Sequence, residues 1–257
     1  MSRSEIAEAP HTAVDAGRQR VQVGGAPLGW NEVPVNGDVV EIDGVSFYRI
    51  ENVDRMDPFF VTVVSSGDHW LFASSTGALT AGRGAPEHAL FPYETVDRIH
   101  DAQDRTGGKT LLLIRPEGDA GETLWEPFSD RYAGLAPIRR SLAKSLAGDR
   151  LRYEETHDTL GLTFSQTWSA SRRYGFVRTS ELRNESGESV QVRLLDGVQN
   201  LMPYGIERAM QERQSVLANA YKRSERLDSG LGIFALSAIP VDRAEPAEAL
   251  LETTVWH

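Results

Sequence analysis

Phe176 to Asn200 reads "FVRTSELRNESGESVQVRLLDGVQN". A strand runs to Asn184, the polar run Glu185 to Ser189 turns the chain, and Val190, Val192 and Leu194 then alternate with polar neighbours. Alternation at period two places every second side chain on one face, so this stretch predicts a long antiparallel hairpin with one buried side. The segment before it has the same texture. In "LGLTFSQTWS", Leu160, Leu162, Phe164 and Trp168 share one parity, broken only at Gln166.

Working back towards the N-terminus, "VVEIDGVSFYRIENV" sets Asp43-Gly44 between two apolar runs, a strong hairpin signal. "FFVTVVSSGDHWLFASS" repeats the arrangement around Ser66-Gly67-Asp68, and "KTLLLIRP" and "TLWEPF" add further strands across the glycine-rich "EGDAGE". One stretch reads as helix: after Ile206, residues Ala209, Met210, Leu217, Ala220 and Tyr221 keep a spacing of three to four. "GIFALSAIPVD" returns to strand. Many strands at hairpin spacing with one or two helices predict a mainly β fold, a large antiparallel β-sandwich of the supersandwich, galactose-mutarotase-like kind.

Composition excludes several functions. The chain of 257 residues has 25% charged residues and a net charge of −10, which is a globular composition without the clustered Lys and Arg that nucleic acid requires. There is no cysteine, so neither a disulfide framework nor a thiolate metal site can form. No run approaches the roughly 18 apolar residues of a membrane span, and the first twenty residues lack the apolar core of a secretory signal, so the expected location is the cytoplasm. Residues 1–20 read as a mobile lead-in and 21–257 as the β domain. That domain ends mid-pattern on "LLETTVWH", which predicts truncation at its C-terminal end.

Tyr174 to Gly205 resembles the N-terminal β-supersandwich of the cellobiose-phosphorylase-like family of carbohydrate-active enzymes. Leu182, Asn184, Ser186 and Gly187, followed by Val190, Val192 and Leu194, match that family's strand, turn and second strand. The segments 51–83 and 239–256 also look like pieces of such a protein. The resemblance implies a domain that packs on a helical (α/α)6 catalytic barrel absent from these residues, contributes to a homodimer and lends a loop to a sugar site. It implies no catalytic residue and no cofactor within this chain, and carbohydrate and the chain's own catalytic domain as partners.

The densest set of sugar-recognising residue types lies between His69 and Asp101. "SSTGALTAGRGAPEHALFPY" spans Ser74 to Tyr93 and has the glycine spacing of a P-loop, but Arg83 and Gly84 stand where that motif needs Lys and Ser/Thr. Aromatic faces cover the apolar side of a sugar ring, and planar polar groups bond its paired hydroxyls. Trp70, Arg83, Glu87, His88 and Tyr93 are therefore the expected substrate-binding residues. The competing reading is a connecting loop with Gly77 and Gly82 in turns and Trp70 and Phe91 packed inside. His69, His88 and His100, or Glu154, Glu155, His157 and Asp158, lack a recognised metal-ligand spacing. Glu122, Glu126 and Asp130 offer carboxylates for glycoside chemistry if two of them come within reach of one bond. Two rival readings follow: an aldose-epimerase-like enzyme using His88 with Glu87 or His157 as acid and base, or a noncatalytic glycan-binding or dimerising module.

Overall fold

Asp43 and Gly44 both adopt positive φ, 51° and 73°, the geometry of a tight two-residue hairpin turn. The computed structural model of the chain describes residues 33–118, 121–131, 134–203 and 206–229, with the short strands 22–23, 26–27, 232–236 and 254–256 described through their backbone. The expected lead-in at residues 1–20 lies outside the described residues. The chain divides into two units, 1–33 and 34–257. The first contains the antiparallel pair β1 (Gln22–Val23) and β2 (Ala26–Pro27).

The second unit begins with β3 (Asn36–Ile42), β4 (Val45–Glu51), β5 (Phe60–Val63), β6 (His69–Ser74) and β7 (Leu79–Arg83). It continues with β8 (Gly107–Pro116), β9 (Thr123–Trp125), β10 (Ile138–Ser145), β11 (Arg150–His157), β12 (Leu162–Ser171), β13 (Gly175–Asn184) and β14 (Val190–Gln199). After these come the helix α1 (Arg208–Ala220), then β15 (Lys222–Arg226), β16 (Gly232–Leu236) and β17 (Thr254–Trp256). Backbone angles leave the helical region at Gln214, so α1 is two helical stretches across a kink. None of the described helices is long and apolar enough to cross a membrane.

The fold is a mainly β antiparallel sandwich. One layer is a six-stranded sheet in the order β13-β12-β11-β10-β4-β3, and the other is made of two three-stranded sheets, β5-β6-β7 and β14-β8-β9. Register explains how both are held. Leu142, Tyr153 and Gln166 lie side by side on the inner face, as do Lys144, Leu151, Trp168 and Arg178. Leu142, Leu151, Tyr153 and Trp168 meet Val61, Val63, Leu71, Ala73, Leu79 and Ala81 of β5-β6-β7 in one core cluster. Leu162 and Phe164 meet Leu112, Ile114 and Trp125 of β8 and β9 in a second. Each large apolar side chain buried this way stabilises the fold by about 1.5–3 kcal/mol before entropy is counted. A further sheet has the order β15-β16-β17.

The strands expected at 176–200 form, but they are not a hairpin. β13 pairs with β12 and β14 pairs with β8, so the turn after Asn184 carries the chain from one layer to the other. Both strands have one apolar face, and Leu182, Val190 and Val192 are packed against the same second cluster from opposite layers. Facing strands bury those side chains across the core, where adjacent strands would only align them on one sheet.

The break at Gln166 also has a cause. Its side chain is 2% exposed, and its Oε1 accepts a bond from Arg178 Nε at 2.9 Å. Arg178 then grips Asp196 of β14 through both terminal nitrogens, at 2.9 and 2.7 Å, and Thr110 Oγ1 of β8 donates to Asp196 at 2.6 Å. Burial raises the Asp196 pKa, but Arg178 and Thr110 outweigh it and hold the carboxyl below its usual range. The clamp ties the edge β13 to the sheet opposite.

Candidate functional site

On β6, Leu71 and Ala73 enter the core, so the alternation turns Trp70 and Phe72 to the outer face of the sheet. Trp70 lies opposite Gly82 in the ladder, and its indole occupies the space a side chain there would take. A Cβ at residue 82 would stand 2.5 Å from Trp70 Cζ2 and 2.6 Å from the His88 carbonyl oxygen. Gly82 therefore serves a close approach inside β7, not the turn expected for it, whereas Gly77 does turn the chain at φ 98°. Phe91 is buried as expected, but Trp70 is only half-buried.

Trp70 begins a row of half-buried rings. Its centroid is 5.3 Å from Phe72, and Phe72 is 5.4 Å from Phe60 on β5. Tyr93 meets Trp70 edge-on at 5.9 Å. The guanidinium of Arg208, at the start of α1, sits 5.1 Å from the centre of the Tyr93 ring. Its bond to Glu212 is the main reason its pKa is raised, with a smaller contribution from Glu87. Trp70 Nε1 is buried and has no hydrogen-bond partner among the described residues.

Of the five expected binding residues, the structure thus joins Trp70 and Tyr93 directly and brings Glu87 into the field of Arg208. His88 is exposed, and only its carbonyl oxygen approaches the site, over Gly82. Arg83 does not join. It pairs with His69 in the ladder, on the parity opposite to Trp70, and bonds Asp68 at 3.1 Å. That bond is the largest cause of the lowered Asp68 pKa. Phe60, Phe72 and Arg208 were missed by the sequence reading. The two phenylalanines could have been found from the parity of "FFVTVV" and "HWLFAS" around one hairpin, but no local signal links Arg208 to Tyr93.

The alternative chemistry is dispersed. Glu122 bonds Arg115 and Arg193, Glu126 pairs with Lys109, and Asp130 pairs with Arg140. His69 stacks edge-on against Phe176, and His100 Nδ1 shares a hydrogen bond with Ser74 Oγ. Among the described residues no group of three or more His, Cys, Asp or Glu could hold a metal ion. Glu154 and Glu155 point to opposite faces of β11, as adjacent strand residues must.

His157 has no contact with His88 or Glu87. It is 5% exposed, lies edge-on to Trp125 at 5.6 Å, and its Nδ1 accepts the Leu160 N–H at 3.3 Å. Burial is the largest influence and lowers its pKa below the ordinary value of 6.5. As pH falls through the imidazole range, the unfolded chain takes up this proton before the native protein does, so native stability is lost with acidification. Thermal unfolding of His157→Asn is expected to show a smaller fall in Tm between about pH 7.5 and about pH 5.5 than the unsubstituted chain. Equal falls would show that another group sets the dependence.

Comparison with models of known protein families gives no match, and comparison with curated proteins gives none.

Proposed function

We propose that this chain is the β-sandwich domain of a carbohydrate-active enzyme of the glycoside-phosphorylase type. It holds carbohydrate at the Trp70 and Tyr93 end of the ring row and leaves bond cleavage to a separate (α/α)6 catalytic domain. The observation that carries the reading is the end of the row at Trp70 and Tyr93, two half-buried rings beside the Arg208 guanidinium, a combination that covers a pyranose face and bonds its hydroxyls. Phe60 and Phe72 pack behind them on Ala78, Ile99 and Ala102. Two further observations support it. The carboxylates Glu122, Glu126 and Asp130 are each held by a cation, so these three do not present a free pair to a glycosidic bond. Strands also form over both halves of the segment on which the family resemblance rests.

Titration calorimetry with cello-oligosaccharides tests the binding role. Trp70→Ala is expected to weaken binding by about tenfold, equivalent to about 1.4 kcal/mol, and Tyr93→Ala by a similar amount. Arg83→Ala should leave affinity unchanged, because that side chain belongs to the other face. Full affinity in Trp70→Ala, or no binding by the unsubstituted chain, would remove the proposal.

A further inference from the structure

The second layer of the sandwich stops short of the first. Strands β4 and β3 extend the six-stranded sheet beyond β10, and β5 is the last strand of the layer facing it on that side. The inner face of β3 and β4 is therefore left open. Val39 and Tyr48, a cross-strand pair on that face, are 55% and 48% exposed. Between them and β5 runs an open groove of about 370 Å³, lined by Tyr48, Ile50, Phe59, Val61, Leu142 and Lys144.

The backbone of β5 determines what this groove can hold. Ser75 N–H donates to Phe59 O, which makes residues 59 and 75 a hydrogen-bonded pair in the ladder. Antiparallel pairing alternates, so Val61 and Val63 bond to β6 while the N–H and C=O groups of Phe60 and Thr62 turn to the free edge. The next residue of that parity, Val64, already bonds outward, from its N–H to Gly148 O at 2.8 Å. Phe60 and Thr62 have no such partner among the described residues. The groove therefore combines a strand edge, an apolar floor and one cation, since Lys144 makes no ion pair among the described residues.

We infer that the groove is a docking site for an extended segment of a partner protein. The segment adds a strand to β5, turns alternate apolar side chains onto Tyr48, Ile50 and Leu142, and sets an acidic side chain against Lys144. Backbone bonds to Phe60 and Thr62 supply the register, the apolar floor supplies the burial, and Lys144 selects for the carboxylate. A strand so placed completes the second layer over β4 and covers the exposed pair Val39 and Tyr48.

Phage-displayed peptides of about ten residues, spanning about 33 Å when extended, are selected on the full chain, and the best is titrated by fluorescence anisotropy. Selected sequences should alternate apolar residues and carry an Asp or Glu at one fixed place. Thr62→Pro removes an edge N–H that β6 does not use and should weaken binding at least about tenfold. Lys144→Glu should do the same by charge reversal, and Trp70→Ala should have no effect. The inference is overturned if no peptide is enriched, or if the best peptide binds both variants as well as the parent chain. It is also overturned if the chain forms a dimer that Thr62→Pro dissociates, because the edge then belongs to a second copy.

Discussion

Replacing Glu155 by alanine is expected to remove about 2–4 kcal/mol of stability, because it orphans two buried donors, the Trp125 indole and the Phe128 N–H, while Arg140 keeps Asp130 and the Ser129 carbonyl. Glu155 is 1% exposed. Its Oε1 accepts the Trp125 indole N–H at 2.7 Å, and its Oε2 accepts both the Phe128 N–H and Arg140 Nε at 2.7 Å. Burial disfavours the Arg140 charge, but Glu155 and Asp130 outweigh it and raise the pKa. Phe128 sits at φ 65°, an uncommon backbone for a bulky residue, so the loop between β9 and β10 is held in a strained shape by the carboxylate that bonds its N–H. The contrast is Glu154, its neighbour, on the outer face of the sheet. Glu154 shares Arg152 with Glu181, so Glu154→Ala leaves that guanidinium paired and should cost about 1 kcal/mol or less. Urea unfolding of the two variants checks both figures. A shift in Glu155→Ala no larger than in Glu154→Ala would mean that the loop is not held through this carboxylate.

The difference between these neighbours shows what the sequence can convey. Alternation reports which residues of a strand share a face, and it locates most strands of the sandwich but not β7, which reads as a loop, nor β10 and β11, whose many charged residues mask the pattern. On β11 the parity of Leu151 and Tyr153 does turn Glu155 inward and Glu154 outward, but it cannot say what a buried carboxylate would bond there. Nor does it name a strand's neighbour. β13 and β14 are contiguous in the chain and have matching apolar faces, yet their ladder partners are β12 and β8. Short loops favour pairing of consecutive strands, but the tertiary gain from facing strands across the core decides otherwise here. Gln166 shows the same limit at one residue: it interrupts an apolar run because Arg178, on the next strand, needs an acceptor at that depth.

The candidate site was legible in part for the same reason. The composition of residues 69–101 brought out Trp70 and Tyr93, whose rings do meet. Arg83 has the right chemistry and the wrong parity, since its place depends on the β6-β7 register, which the turn after Ser74 sets. Arg208 reaches Tyr93 only because Met202 N–H bonds Leu90 O and leads the chain back to the segment after β7. A contact between segments so distant in the chain leaves no local trace.

Phe164→Ala is expected to lower stability by about 3–5 kcal/mol, the range for deleting a buried aromatic ring from a packed core. Phe164 is 1% exposed and joins Leu112, Ile114, Trp125 and Leu162 from both layers. Its ring is also 6.0 Å from Phe128, whose side chain packs on both core clusters. The cavity thus opens where the two halves of the second layer meet the first, and rigid strands on each side limit its collapse. Trp70 provides the control. It is an aromatic of larger size, but it lies half-buried on the outer face, so Trp70→Ala should cost less stability than Phe164→Ala while losing most of the carbohydrate affinity. Phe164→Ala, measured where it remains folded, should bind carbohydrate as the parent chain does. Unfolding midpoints and calorimetry on the same two proteins decide the matter. If both variants lose stability and affinity in proportion, the ring row is an extension of the core and not a binding surface.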